Sequence, residues 1–222
     1  MEEASRRLVV LGDSIGAAQG VTPGAGFVAL LASRLAEHGA SVQNWSRGGL
    51  TAVSVAAREL PRIAHRLREA SADGADLAVV VELGGNDRLF GVPAPEIENA
   101  LLAIVAAARE AAPRARLLVL EIIPDGIERD CARRAGARLV PCPAHVAATM
   151  RKPLRRGAVP PMSQLFMQPD RIHPNDEAQP LIAAEIFDAL RDEWELPGGR
   201  EPEMESAEDP ERRGAWCQCV VA

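Results

Sequence analysis

Short apolar runs alternate with longer helical patterns along this chain, and that alternation leaves few folds open. The runs fall at 7–11, 42–45, 77–83, 116–122 and 138–141, and the helical patterns at 27–38, 52–70, 94–112 and 176–194. Leu8, Val9, Val10 and Leu11 are apolar at every position rather than at every second one, the mark of a strand covered on both faces. Strands of that kind separated by helices predict an α/β fold in three layers, a parallel sheet between helices. Gly39, just past His38, reads as a helix stop, and Asn175 reads as the N-cap of the last helix. A chain of 222 residues suits one domain with a sizeable core, placed here over residues 1–195.

Residues 196–222 turn to Gly, Pro, Glu and Arg, and an acidic, disordered tail is expected there. From Glu193 onward eight acidic residues face three basic ones, which accounts for −5 of the net charge of −6. The nearly neutral remainder argues against nucleic-acid binding, which needs a clustered basic face. The basic cluster Arg151, Lys152, Arg155 and Arg156 reads first as a solvated face, and second as a patch that steers anionic substrates. No apolar stretch approaches the ~20 residues that span a bilayer. The opening "MEEASRR" lacks the layout of a secretory signal, so a cytoplasmic location is expected.

Cys131, Cys142, Cys217 and Cys219 form no metal-ligand spacing. The first two read as reduced thiols, with a disulfide between them as the alternative. The final Cys219-Val-Val-Ala has the form of a prenylation box, with Cys217 as a neighbouring palmitoylation site. A lipid anchor is expected there only in a eukaryotic source, and otherwise the match is one of chance. His38, His65 and His145 lie on or beside helical patterns and read as surface or packing residues.

Four stretches carry chemistry: "VVLGDSIG", "NWSRGGLTA", "VVELGGND" and "DRIHPNDEAQP". Ser14 follows the first strand, where the loops of open α/β sheets bind ligands. A serine hydroxyl needs a general base to become a nucleophile, and His173 can serve as that base. Asp170, three residues earlier, can orient the imidazole. The Ser14 backbone N–H, a glycine N–H in "SRGGL" and the Asn86 amide can supply oxyanion donors. Gly12 to Gly16 also spell G-x-S-x-G, the nucleophile elbow of α/β-hydrolases. That fold is rejected, because its nucleophile follows several strands and its acid and histidine sit on separate loops.

In order and internal spacing the four stretches resemble the blocks of the GDSL, or SGNH, hydrolase family. "VVELGGND" followed by "RLFG", and "MQPDRIHPNDEAQP", are especially similar to bacterial esterases that act as arylesterase, thioesterase and lysophospholipase. The resemblance implies a flavodoxin-like sandwich with five parallel strands ordered 2-1-3-4-5. It implies Ser14 as nucleophile, Asp170 and His173 as its triad partners, and Ser14, Gly49 and Asn86 as the oxyanion hole, with Gly48 as the alternative glycine. No metal or organic cofactor is implied, and the expected partner is a small ester. Leu50 departs from the family pattern, which has a polar residue after the glycine, and residues 125–157 do not resemble the subgroup. The expected reaction is hydrolysis of a carboxylic ester or thioester through an acyl-enzyme. Two alternatives stand beside it: a carbohydrate O-acetylesterase with the same triad, and a non-catalytic binding domain with a relic site.

Overall fold

A computed structural model describes residues 5–72, 74–144, 146, 166–170 and 172–197. Its strands are β1 (Arg6–Gly12), β2 (Ala40–Asn44), β3 (Asp76–Glu82), β4 (Arg116–Leu120) and β5 (Arg138–Val140). They pair in parallel in the order β2-β1-β3-β4-β5. The described helices are α1 (Phe27–Ala36), α2 (Ala52–Arg58), α3 (Leu60–Ser71), α4 (Gly85–Leu89), α5 (Ala94–Ala111), α6 (Ile127–Ala135) and α7 (Ala178–Trp194). The expected fold and strand order are both present; the strands and α1, α5 and α7 end within two residues of the sequence reading, whereas α4 and α6 lie outside the helical patterns read from it.

The uninterrupted apolar strands follow from burial on two sides. Val9, Leu11, Val79, Val81, Leu117 and Val119 point into one core, packed with Val55, Ile63, Leu67, Leu101 and Ile104 from α2, α3 and α5. Leu8, Val10, Val80, Leu118 and Leu120 point into the other, packed with Phe27, Leu31, Leu35, Ile182, Ile186 and Phe187 from α1 and α7. A strand with only one covered face would show alternation instead.

One expectation needs correction. Residues 52–70 do not form a single helix but two, α2 and α3, that break at Glu59, where φ is −114° and ψ −9°. Pro61 lies in the first turn of α3. Within a continuous helix its ring would meet the carbonyl of Ala57, four residues back, and it has no N–H to donate. The start of α2 carries a reciprocal cap, since Thr51 Oγ1 accepts from Ser54 N–H and Ser54 Oγ accepts from Thr51 N–H. The N-cap of α7 is Glu177 rather than the expected Asn175, which stands two residues earlier, its Oδ1 accepting the N–H groups of Glu177 and Ala178 at 3.2 Å each.

His38 stacks on Phe187 with ring centres 5.7 Å apart, and His65 pairs with Glu69 at the surface. Cys131 and Cys142 are free thiols that burial pushes up to about 12, so neither is a ready nucleophile. His145, the cluster at 151–156, the tail and both terminal cysteines lie outside the described residues. No described helix is long and apolar enough to cross a membrane. The strand order reverses between β1 and β3, which opens a crevice at their carboxyl ends.

Candidate active site

Ser14 stands where β1 gives way to a helical turn, closed by Ala17 N–H to Asp13 O at 3.0 Å and Gln19 N–H to Ser14 O at 2.9 Å. Glu82, the last residue of β3, anchors that turn from below. Its Oε2 accepts the N–H of Asp13 at 3.0 Å and of Gly16 at 2.9 Å. Gly12 faces Glu82 across the sheet, and a Cβ at that position would overlap Glu82 Oε2. Burial and the adjacent Asp13 carboxylate push the Glu82 carboxyl well above its ordinary range. Burial also raises Asp13, against the Ile15 N–H and the Glu82 hydrogen bond that lower it. Both carboxyls are thus pushed upward, the fully buried Glu82 the further.

Asp170 and His173 come from a loop drawn together at its base by an antiparallel bridge between Met167 and Pro174. Gln168 N–H donates to His173 O at 2.8 Å, and Asn175 N–H to Phe166 O at 2.9 Å. At the tip, Asp170 Oδ1 accepts the N–H of Ile172 at 2.9 Å and of His173 at 3.1 Å. This Asx turn sets both side chains on one side, which explains the three-residue spacing. Asp170 Oδ2 lies 2.6 Å from His173 Nδ1, and His173 Nε2 lies 2.9 Å from Ser14 Oγ. A carboxylate only accepts, so Nδ1 carries the proton and Nε2 accepts from the Ser14 hydroxyl. Slight burial works against Asp170, yet hydrogen bonds from the His173 ring and the Ile172 N–H hold its carboxyl below the ordinary range.

Three tethers bring the two loops to this distance across 159 positions of sequence. Gln168 Nε2 donates to Gln19 O at 2.7 Å and to Pro174 O at 3.2 Å. Asp176 accepts from the backbone and hydroxyl of Thr22, and Gln179 Oε1 accepts from Phe27 N–H at 2.9 Å. Glutamines and an acid in loop and helix-start positions carry no sequence signal for this role, and sequence reasoning missed them.

Asn86 lies in the first turn of α4, just past β3. Its Nδ2 donates to Leu50 O at 2.8 Å and to Asp13 Oδ2 at 3.2 Å. Asp87, fully buried, accepts the first two N–H groups of α2, those of Ala52 at 2.7 Å and Val53 at 3.1 Å. Asn86 and Asp87 thus bind α4 to the loop that carries the glycines. In that loop Leu50 N–H returns to Arg47 O at 3.4 Å, with Gly49 third in the turn at φ +79°. An L side chain is strained there, which explains the glycine. The Gly49 N–H has no partner among the described residues. Gly48 lies nearer Ser14, since a Cβ built on it would stand 4.0 Å from Ser14 Cβ.

Beside Ser14 opens a cavity of about 180 Å³, lined among the described residues by Asp13, Asn86 and a wall of Ile15, Leu89, Ile122, Ile123, Met167 and Ile172. No described cluster of His, Cys, Asp and Glu has the arrangement of a metal site.

A doubly wound α/β sandwich that presents a serine, a histidine and an aspartate in hydrogen-bonded series beside an apolar cavity defines a class, the serine hydrolases of SGNH type. The chain belongs to the GDSL-like lipase/acylhydrolase family, whose model matches residues 10–180. It is 31% identical over 198 residues to Esterase TesA of Pseudomonas aeruginosa, a match that covers 86% of this chain and 90% of that protein. A crystal structure of TesA superposes with a TM-score of 0.66 at 31% identity, covering 84% of this chain and 99% of that one. The psychrotrophic esterase EstA from Pseudoalteromonas sp., in a structure inhibited by monoethylphosphonate, gives 0.64 at 25% identity over 86% and 100% of the two chains. The chain is a GDSL-type carboxylic ester hydrolase.

Proposed function

We propose that the enzyme cleaves esters or thioesters of apolar acyl groups through an acyl-enzyme on Ser14. The observation that carries this reading is the unbroken series from Asp170 Oδ2 through the His173 ring to Ser14 Oγ, with steps of 2.6 and 2.9 Å. Ser14 Oγ attacks the carbonyl carbon as His173 Nε2 takes its proton, and Asp170 stabilises the imidazolium. The oxyanion is held by the N–H groups of Ser14 and Gly49 and by Asn86 Nδ2, which gives up its longer bond to Asp13 to reach it. Collapse breaks the bond to the alcohol or thiol, which leaves with the proton from Nε2. Water, deprotonated by the same nitrogen, then releases the acid and restores Ser14.

The apolar wall of Ile15, Leu89, Ile122, Ile123, Met167 and Ile172 suits the hydrocarbon part of an acyl group better than a sugar. The test is a panel of p-nitrophenyl esters from acetate to palmitate, with acyl-CoAs and acetylated xylose, assayed on wild type and Ser14→Ala. The wild type is expected to hydrolyse the esters, and the variant to lose ~10³-fold or more in kcat. Equal rates, or an inert wild type, would overturn the reading, and turnover of acetylated xylose alone would favour a carbohydrate acetylesterase.

A further inference from the structure

Arg88 sits two residues past Asn86 in α4, and its guanidinium engages all five of its N–H groups. Nε and Nη2 donate to Asp125 Oδ2 and Oδ1 at 2.7 and 2.6 Å. Nη1 and Nη2 donate to Glu128 Oε1 and Oε2 at 2.9 and 2.8 Å, and the second Nη1 hydrogen reaches Gly84 O at 3.1 Å. Two bidentate forks on one planar group leave it little freedom, and only an arginine can make both. Glu128 is fully buried and the Arg88 side chain is only 12% exposed, so water does little to loosen them.

These contacts join two walls of the cavity beside Ser14. Leu89, next to Arg88, forms part of one wall, and Ile122 and Ile123, just ahead of Asp125, form part of another. Ile122 and Ile123 lie between the end of β4 at Leu120 and the start of α6 at Ile127, where no ladder or helix fixes them. The clamp ties that loop to the helix that carries Asn86.

We propose that Arg88 is a specificity-determining positioning residue, which fixes the spacing of Leu89 from Ile122 and Ile123 and thereby limits the acyl chain the site accepts. Arg88 touches no reacting atom. The inference rests on the esterase reading, and concerns only which acyl groups that site prefers. Releasing the clamp lets the two walls part and admits longer chains. A single methylene in an apolar pocket is worth ~10–200-fold in kcat/KM, so small wall movements are readable in rates.

The experiment compares p-nitrophenyl acetate and octanoate on wild type, Arg88→Lys and Asp125→Ala. Asp125→Ala removes the more exposed fork and leaves the buried Arg88 and Glu128 pair intact, so it remains informative if Arg88→Lys fails to fold. The octanoate-to-acetate ratio of kcat/KM is expected to rise ~10-fold or more, the scale of one methylene, while acetate turnover stays within about threefold. An unchanged or lower ratio, or an equal loss on both esters, would overturn the inference and leave the esterase reading standing. An inert wild type would remove both.

Discussion

Glu82 holds Gly16 by a 2.9 Å hydrogen bond to its N–H, and through that contact a buried acid sets the shape of the turn that carries Ser14. Glu82→Gln keeps the size of the side chain and an oxygen that can accept the N–H groups of Asp13 and Gly16. That variant is expected to retain stability within about 1 kcal/mol of wild type. Glu82→Ala strands two buried N–H groups at ~1–3 kcal/mol each and is expected to cost about 2–6 kcal/mol. Urea denaturation of the two variants reads the difference, and equal losses would show that the two N–H contacts are not what Glu82 contributes.

In the proposed oxyanion hole, Asn86 is the one donor supplied by a side chain. Asn86→Ala is expected to lower kcat by ~10²–10³-fold with little change in KM, because the interaction strengthens only in the transition state. Steady-state kinetics on p-nitrophenyl butyrate gives both constants. A loss confined to KM would assign Asn86 a structural role only.

Gln168 fastens the His173 loop to the Ser14 loop by donating to Gln19 O at 2.7 Å and to Pro174 O at 3.2 Å. Gln168→Glu keeps the size and loses the donor. Displacement of a catalytic group by ~1 Å costs up to ~10²-fold, so kcat is expected to fall ~10–100-fold. Circular dichroism would show the fold retained, and unaltered turnover would show that the other tethers suffice.

Burial pushes the Glu128 carboxyl up from 4.5 to about 7, against the pull of Arg88, while the Asp125 charge adds to the rise. The folded state therefore binds this proton more tightly than the unfolded chain, and the contribution to stability is full below pH 4.5 and lost as pH rises through 7. At ~1.4 kcal/mol per pH unit the loss is about 3 kcal/mol. Glu128→Gln has no such proton, so the stability of wild type relative to this variant is expected to fall by that amount between pH 4.5 and 8. Denaturant titrations at a series of pH values measure the gap, and a gap independent of pH would place the Glu128 titration elsewhere.

Much of this site was legible because its pieces are local. The apolar run of β1 dictates a buried strand, and the loop after it offers Ser14. The spacing of Asp170 and His173 is that of an Asx turn, whose bonds reach only two and three residues. The helix break at Glu59 was also local, since Pro61 announces it, yet the apolar pattern runs on through it and hid the break.

The residues that escaped the sequence act across the chain. Gln168, Asp176 and Gln179 bind segments about 150 positions apart, Glu82 supports a strand it meets only in the sheet, and Arg88 meets Asp125 and Glu128 only when α4 packs beside the start of α6. Their residue types are ordinary for solvated loops and helix ends, so nothing in a short window sets them apart. The sequence by itself determined the strands, the turns and the chemical groups, because backbone and side-chain preferences operate over a few residues. Only the tertiary structure decided that Ser14 and His173 stand 2.9 Å apart, because parallel strands pair through crossovers, and register between distant segments is set when both faces of the sheet are buried.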